Sequence, residues 1–135
     1  MALPFLDTNI FVNHLLQLNP EQGERASGIL ERIEAGDLTV QISDIVVFET
    51  VFTLQRAYRV PREEIAANVL QILELPGIVL PAKAQYRRVF ELYLSSAVGF
   101  ADCYHAVLMQ RRGVTEVISF DKDFDKLPGI NRVES

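Results

Sequence analysis

Apolar positions along the chain alternate between strand-like and helix-like stretches. Short apolar or β-branched runs at residues 2–6, 38–42, 78–80 and 116–120 read as strands, with a last short one at 131–133. Between them the apolar spacing becomes helical. Residues 10–18 form one such stretch; Pro20 ends it and opens a second over 21–35, which Gly36 stops as a C-terminal cap would. Ser43 and Asp44 supply N-cap chemistry for a helix reaching about Tyr58, and Pro61 starts another to about Leu73. Helices over 83–95 and 100–112 are separated by Gly99 and closed by Gly113, and a helical turn follows over 121–126. Strands alternating with helices predict an α/β fold: a parallel sheet with right-handed crossovers and helices on both faces. Pro4 has no amide for a ladder, so it belongs at the first residue of its strand or just outside the pairing.

The length of 135 residues fits one domain over 1–135, large enough to bury a core. No apolar run approaches the ~20 residues of a membrane span, and no basic, then long apolar, leader opens the chain. The single cysteine, Cys103, cannot form an intramolecular disulfide, and no Cys/His cluster suggests zinc. A cytoplasmic location is expected. The net charge of −5 argues against a partner held by a broad basic surface, yet allows an enzyme that concentrates its acids in one pocket.

Candidate chemistry lies with the carboxylates. Asp7 follows the first strand directly, at the sheet edge where open α/β folds bind ligands, although the same position suits a helix N-cap. Glu49 has Ile45, Val46, Phe52 and Thr53 at helical spacing, which predicts a glutamate on the core-facing side of its helix. A buried carboxylate needs a partner, either an ion pair or a metal. Asp102 sits in the first turn of its helix, where the backbone dipole also favours an acid. Asp121 and Asp123 repeat the strand-then-acid arrangement. The spacing Asp121, Asp123, Asp125 is not a calcium loop, because Lys126 stands where that loop needs glycine and Arg132 where it needs glutamate. His14 and His105 lie inside helical patterns without a nucleophile motif and read as packing or surface groups; Cys103 reads as a small buried hydrophobe.

Taken together, Leu6-Asp7-Thr8-Asn9, the glutamate on the helix after the second strand, Phe100-Ala101-Asp102, and Ile118-Ser119-Phe120-Asp121-Lys122-Asp123-Phe124 closely resemble the PIN domain. In length the chain is similar to the toxin component of VapBC toxin–antitoxin modules. The resemblance spans residues 3–133 and implies a three-layer α/β/α sandwich with a central, mostly parallel sheet. It implies that Asp7, Glu49, Asp102 and Asp121 hold magnesium or manganese, with Asp123 as a further acidic position and Thr8, Asn9 and Ser119 as supporting polar groups. It also implies an endoribonuclease toxin that hydrolyses RNA phosphodiesters with metal-activated water, a homodimer, and inhibition by a cognate antitoxin protein.

A hard divalent ion suits this chemistry because it neutralises phosphate charge and activates water; four carboxylates match two such ions in charge, and one ion plus waters is equally compatible. A PIN nuclease for RNA processing or DNA cleavage, or an inactive PIN-fold binding module, would share the fold without the toxin role. A phosphatase of the haloacid dehalogenase type would need an aspartate where this chain has Asn9. Arg56, Arg59 and Arg62, and Lys83 with Arg87 and Arg88, are candidate RNA contacts or solvated helix surface.

Overall fold

The computed structural model describes residues 2–134, so the two ends of the expected 1–135 domain lie outside it. By contacts the chain divides into two compact units, Met1–Lys83 and Ala84–Ser135.

The first unit is built on a short parallel ladder. Strands β1 (Val40–Gln41) and β2 (Ile78–Val79) pair with Val40 opposite Ile78 and Gln41 opposite Val79. Gln41 is paired on its other side too, through a parallel bridge to Phe5. The Gln41 amide donates to the Pro4 carbonyl (2.9 Å), the Leu6 amide donates to the Gln41 carbonyl (3.0 Å), and Gln41 Nε2 donates to the Leu3 carbonyl (2.7 Å). Pro4 therefore contributes only its carbonyl, as expected for a proline at the start of a paired segment. The ladders are shorter than the apolar runs that suggested them. Within these runs Val40, Ile42, Ile78 and Leu80 are buried, and only two residues of each run complete the hydrogen-bond pattern.

Helices α1 (Thr8–Leu16), α2 (Pro20–Glu34), α3 (Asp44–Phe52) and α4 (Arg62–Leu73) complete this unit. Asn19 caps α2, its side chain accepting the Gln22 amide at 3.0 Å, and Pro20 takes the first helical position. Gly36, at φ +86°, makes the left-handed exit after Ala35. Val46, Val47, Val51 and Leu54 face the core together with Phe11, Ile33 and Ile65. The helix expected to run unbroken to about Tyr58 instead widens after Phe52 into a π-helical turn, Thr53–Ala57. The apolar spacing carries no mark of that change, because a π-turn admits one extra residue without altering which side chains are apolar. Lys83 closes the unit by donating to the carbonyls of Leu75 (2.8 Å) and Ile78 (2.7 Å).

The second unit holds α5 (Gln85–Ser96), α6 (Phe100–Arg111), and a parallel ladder of β3 (Glu116–Ile118) and β4 (Asn131–Val133) joined through a 3-10 turn, Lys122–Lys126. The register sets Glu116 opposite Asn131, Val117 opposite Arg132 and Ile118 opposite Val133. An aromatic cluster binds α5 to α6: the Phe90 and Phe100 ring centroids are 5.0 Å apart, and Tyr93 meets Phe100 edge-on at 5.5 Å. Cys103 is fully buried at the same helix interface, as expected of a small hydrophobe. No helix among the described residues is long and apolar enough to cross a membrane.

Candidate metal centre

In the first unit, the bridge to Gln41 delivers the chain to Asp7 in extended conformation (φ −83°, ψ 156°), and α1 begins at the next residue. Asp7 occupies the N-cap position, but its carboxylate makes no capping hydrogen bond. The local role that an N-cap aspartate would ordinarily fill is thus left unused, and the exposed carboxylate stands available to a ligand. Thr8 reaches across to α3, its hydroxyl donating to Glu49 Oε1 at 2.9 Å. One hydrogen bond therefore ties the residue after Asp7 to Glu49. Asn9 is exposed, and its main-chain carbonyl accepts Asn13 Nδ2 at 2.8 Å.

Glu49 does not lie on the core face, contrary to the expectation from its apolar neighbours. It is exposed, as are Ile45 (66%) and Phe52 (37%). The buried stripe of α3 is Val46, Val47, Thr50 and Val51, centred on the side of the helix away from Glu49. A helix apolar on nearly every side cannot bury all of them, so apolar neighbours did not identify the inward face.

In the second unit, carboxylate oxygens of Asp102, Asp121 and Asp123 all lie within 4.8 Å of one another. Asp102 comes from the first turn of α6, which follows Gly99 at the N-cap. Asp121 precedes the 3-10 turn and caps it, Oδ1 accepting the Asp123 amide at 2.9 Å. The Asp121 amide in turn donates to Ser119 Oγ at 2.9 Å, so Ser119 fixes the main chain that carries the acid. Asp123, expected as a further acidic position beside the other four, is a member of this cluster. Its carboxylate also receives Lys126 Nζ at 3.1 Å, a half-exposed pair one helical turn on that offsets part of the crowded charge.

The crowding shows in protonation. Burial, then the charges of Asp121 and Asp123, push the Asp102 carboxyl above the usual aspartate range, while His105 pulls it back. His105 is exposed and rests edge-on against Tyr104. His14 accepts or donates through Nδ1 to Ser27 Oγ at 2.7 Å, joining α1 to α2, and burial lowers its pKa. Both histidines have the packing and surface roles expected.

The donor set fits a hard divalent cation. All three donors are carboxylates, without the nitrogen or sulfur that favours zinc. Oxygens on one magnesium lie about 2.1 Å from it, hence at most about 4.2 Å apart, so a spacing within 4.8 Å requires only small side-chain adjustment. Among the candidate cations, Lys83 is committed to main-chain carbonyls, Arg88 pairs with Glu91 at 3.2 Å, and Arg56 lies 5.8 Å over the Phe52 ring.

Comparison with known proteins agrees with this chemistry. Residues 5–130 match the profile of the PIN domain. A VapC ribonuclease of Aquifex aeolicus (strain VF5) is 27% identical over 125 residues, covering 93% of this chain and 92% of that protein. This match over most of the chain shows that it belongs to the PIN-domain family.

Proposed function

We propose that this protein is a magnesium- or manganese-dependent endoribonuclease of the VapC type, a toxin restrained by a cognate antitoxin protein, acting in the cytoplasm as a homodimer. In this reading residues 1–135 form a single PIN domain, a three-layer α/β/α sandwich around a central, mostly parallel sheet. In the same reading Asp7, Glu49, Asp102 and Asp121 are the metal-holding acids, with Asp123 as a further one. The observation that carries the reading is the approach of the Asp102, Asp121 and Asp123 carboxylates to within 4.8 Å. Crowded acids of this kind raise the free energy of the folded chain unless a cation or a proton joins them.

A bound divalent ion would supply charge neutralisation at the phosphate and a lowered pKa for attacking water. The chain's own residues prepare for it. Ser119 Oγ and Asp121 Oδ1 fix the turn carrying two of the acids, leaving Asp121 Oδ2 outside that local bonding. Thr8 holds Glu49 Oε1 and so orients its other oxygen. Burial and the nearby acids push the Asp102 carboxyl above the usual aspartate range, so it holds a proton more readily than a solvated aspartate, and ligation of a cation there would require the loss of that proton.

The test is cleavage of a panel of structured and single-stranded RNAs in magnesium, in manganese and with chelator, comparing wild type with Asp7→Asn and Asp121→Asn. Cutting should require the cation and should fall at least a hundredfold in each variant. Cleavage that persists in chelator and in both variants would overturn the mechanism.

A further inference from the structure

The end of β3 and the bend that follows it carry exposed apolar side chains where solvent-facing positions would ordinarily be polar. Val117 is half-buried, but Ile118 at the end of β3 is 74% exposed and Phe120, in the bend two residues on, is 84% exposed. No other large hydrophobic side chain among the described residues is so open. The ring is not on a loose tip. The Ser119 amide donates to the Val133 carbonyl (3.0 Å), an Arg132 guanidinium nitrogen donates to the Ser119 carbonyl (3.1 Å), and the Asp121 amide donates to Ser119 Oγ (2.9 Å). The main chain is thus fixed on both sides of Phe120, and the next residue is a member of the acid cluster.

We propose that Phe120 is a stacking platform for a nucleobase of single-stranded RNA, the base adjoining the phosphodiester brought to Asp102, Asp121 and Asp123. This rests on the reading of that cluster as an RNA-cutting centre. Phe120 directly precedes Asp121 in the chain, so in this proposal an RNA whose phosphate is held at the acids has a neighbouring base within reach of the exposed ring. Single-stranded RNA is held largely by stacking of unstacked bases on aromatic faces, with cations tracking the backbone. Lys122, on the other side of Asp121, is exposed and supplies such a cation. Two side chains, Ile118 and Phe120, are too small a patch for a stable protein interface, which buries on the order of 1,000 Å² or more. One ring is enough for one base.

The experiment uses a short single-stranded RNA carrying 2-aminopurine, whose fluorescence falls when it stacks. Quenching is read in magnesium before cleavage, and steady-state cleavage is measured on the same RNA. Wild type should quench the probe. Phe120→Ala should lose the quenching and raise KM about tenfold with little change in kcat, while Phe120→Tyr should behave as wild type. Leu94→Ala, an exposed apolar side chain on α5, controls for lost surface hydrophobicity and should change neither readout. Absence of quenching by wild type, or quenching and KM unchanged in Phe120→Ala, overturns the proposal. So does a Phe120→Ala protein with altered sedimentation mass and intact quenching, which would make the face a protein contact. Quenching that depends on Phe120 in a protein that cuts no RNA supports the platform and removes the nuclease reading; cutting indifferent to Phe120 does the reverse.

Discussion

Replacing Asp102 by asparagine should stabilise the metal-free protein. The substitution keeps shape and removes one charge from three carboxylates whose oxygens lie within 4.8 Å. Two unit charges at that distance repel by about 0.9 kcal/mol in a water-like dielectric and about 3.5 kcal/mol at an effective dielectric of 20. Asp102 takes part in two such pairs. Asp121 is exposed and Asp123 half-exposed, so the water-like figure is the better guide, and loss of the attraction to His105 trims it further. A net gain of about 1–2 kcal/mol remains, corresponding to roughly 3–6 °C in Tm for a chain of this size.

The pH dependence fixes the sign independently. The folded-state pKa of Asp102 is raised, so its ionisation costs stability that is fully lost above the folded pKa and recovered as pH falls toward the ordinary aspartate value of about 3.9. Thermal melts in chelator should show Asp102→Asn above wild type at neutral pH, with the gap closing on acidification. Magnesium at ten times its Kd adds about 1.4 kcal/mol to whichever protein binds it, so the wild type should gain and the variant should gain less. A lower Tm for Asp102→Asn in chelator at neutral pH, or a gap that does not change with pH, would refute the argument.

Thr8→Val removes the donor to Glu49 Oε1 at a partly exposed site, so stability should change by less than about 1 kcal/mol while cleavage falls about tenfold, as for loss of a group that orients a ligand; parallel melting and kinetic measurements separate the two. Lys83→Met loses two main-chain hydrogen bonds and should lower stability by about 1–2 kcal/mol in denaturant titration, with kcat/KM on RNA unchanged, because this lysine closes its unit rather than contacting substrate.

The sequence located the elements well and their edges poorly. Caps and breakers act locally, so Pro20, Gly36 and Gly99 marked helix limits that the structure reproduces to within a residue or two. Strand length depends on a partner far away in the chain, and apolar runs overstate it. Asp102 and Asp121, which the structure brings together with Asp123, were legible because each follows or opens an element whose position is readable, and the placing of Asp7 directly before α1 was legible for the same reason. Glu49 was identified on a wrong premise: its face is solvent-exposed, and what distinguishes it is the hydroxyl of Thr8, a contact over 41 positions that no local spacing reveals. The membership of Asp123 and the support from Lys126 are set by a 3-10 turn of five residues, too short for periodicity to describe.

The bridge between Phe5 and Gln41 is a single residue long, and a ladder that short should slide. A two-residue slip preserves which side chains face inward and would carry Asp7 about 6.6 Å along the strand axis. Slipping one way would call on residue 4 for the amide that now comes from Leu6, and proline has none to give. Slipping the other way would demand the amide of Thr8 and unwind the start of α1. The residue least suited to a strand thus works as a detent, and changing Pro4 to alanine would free the leading aspartate to occupy more than one position.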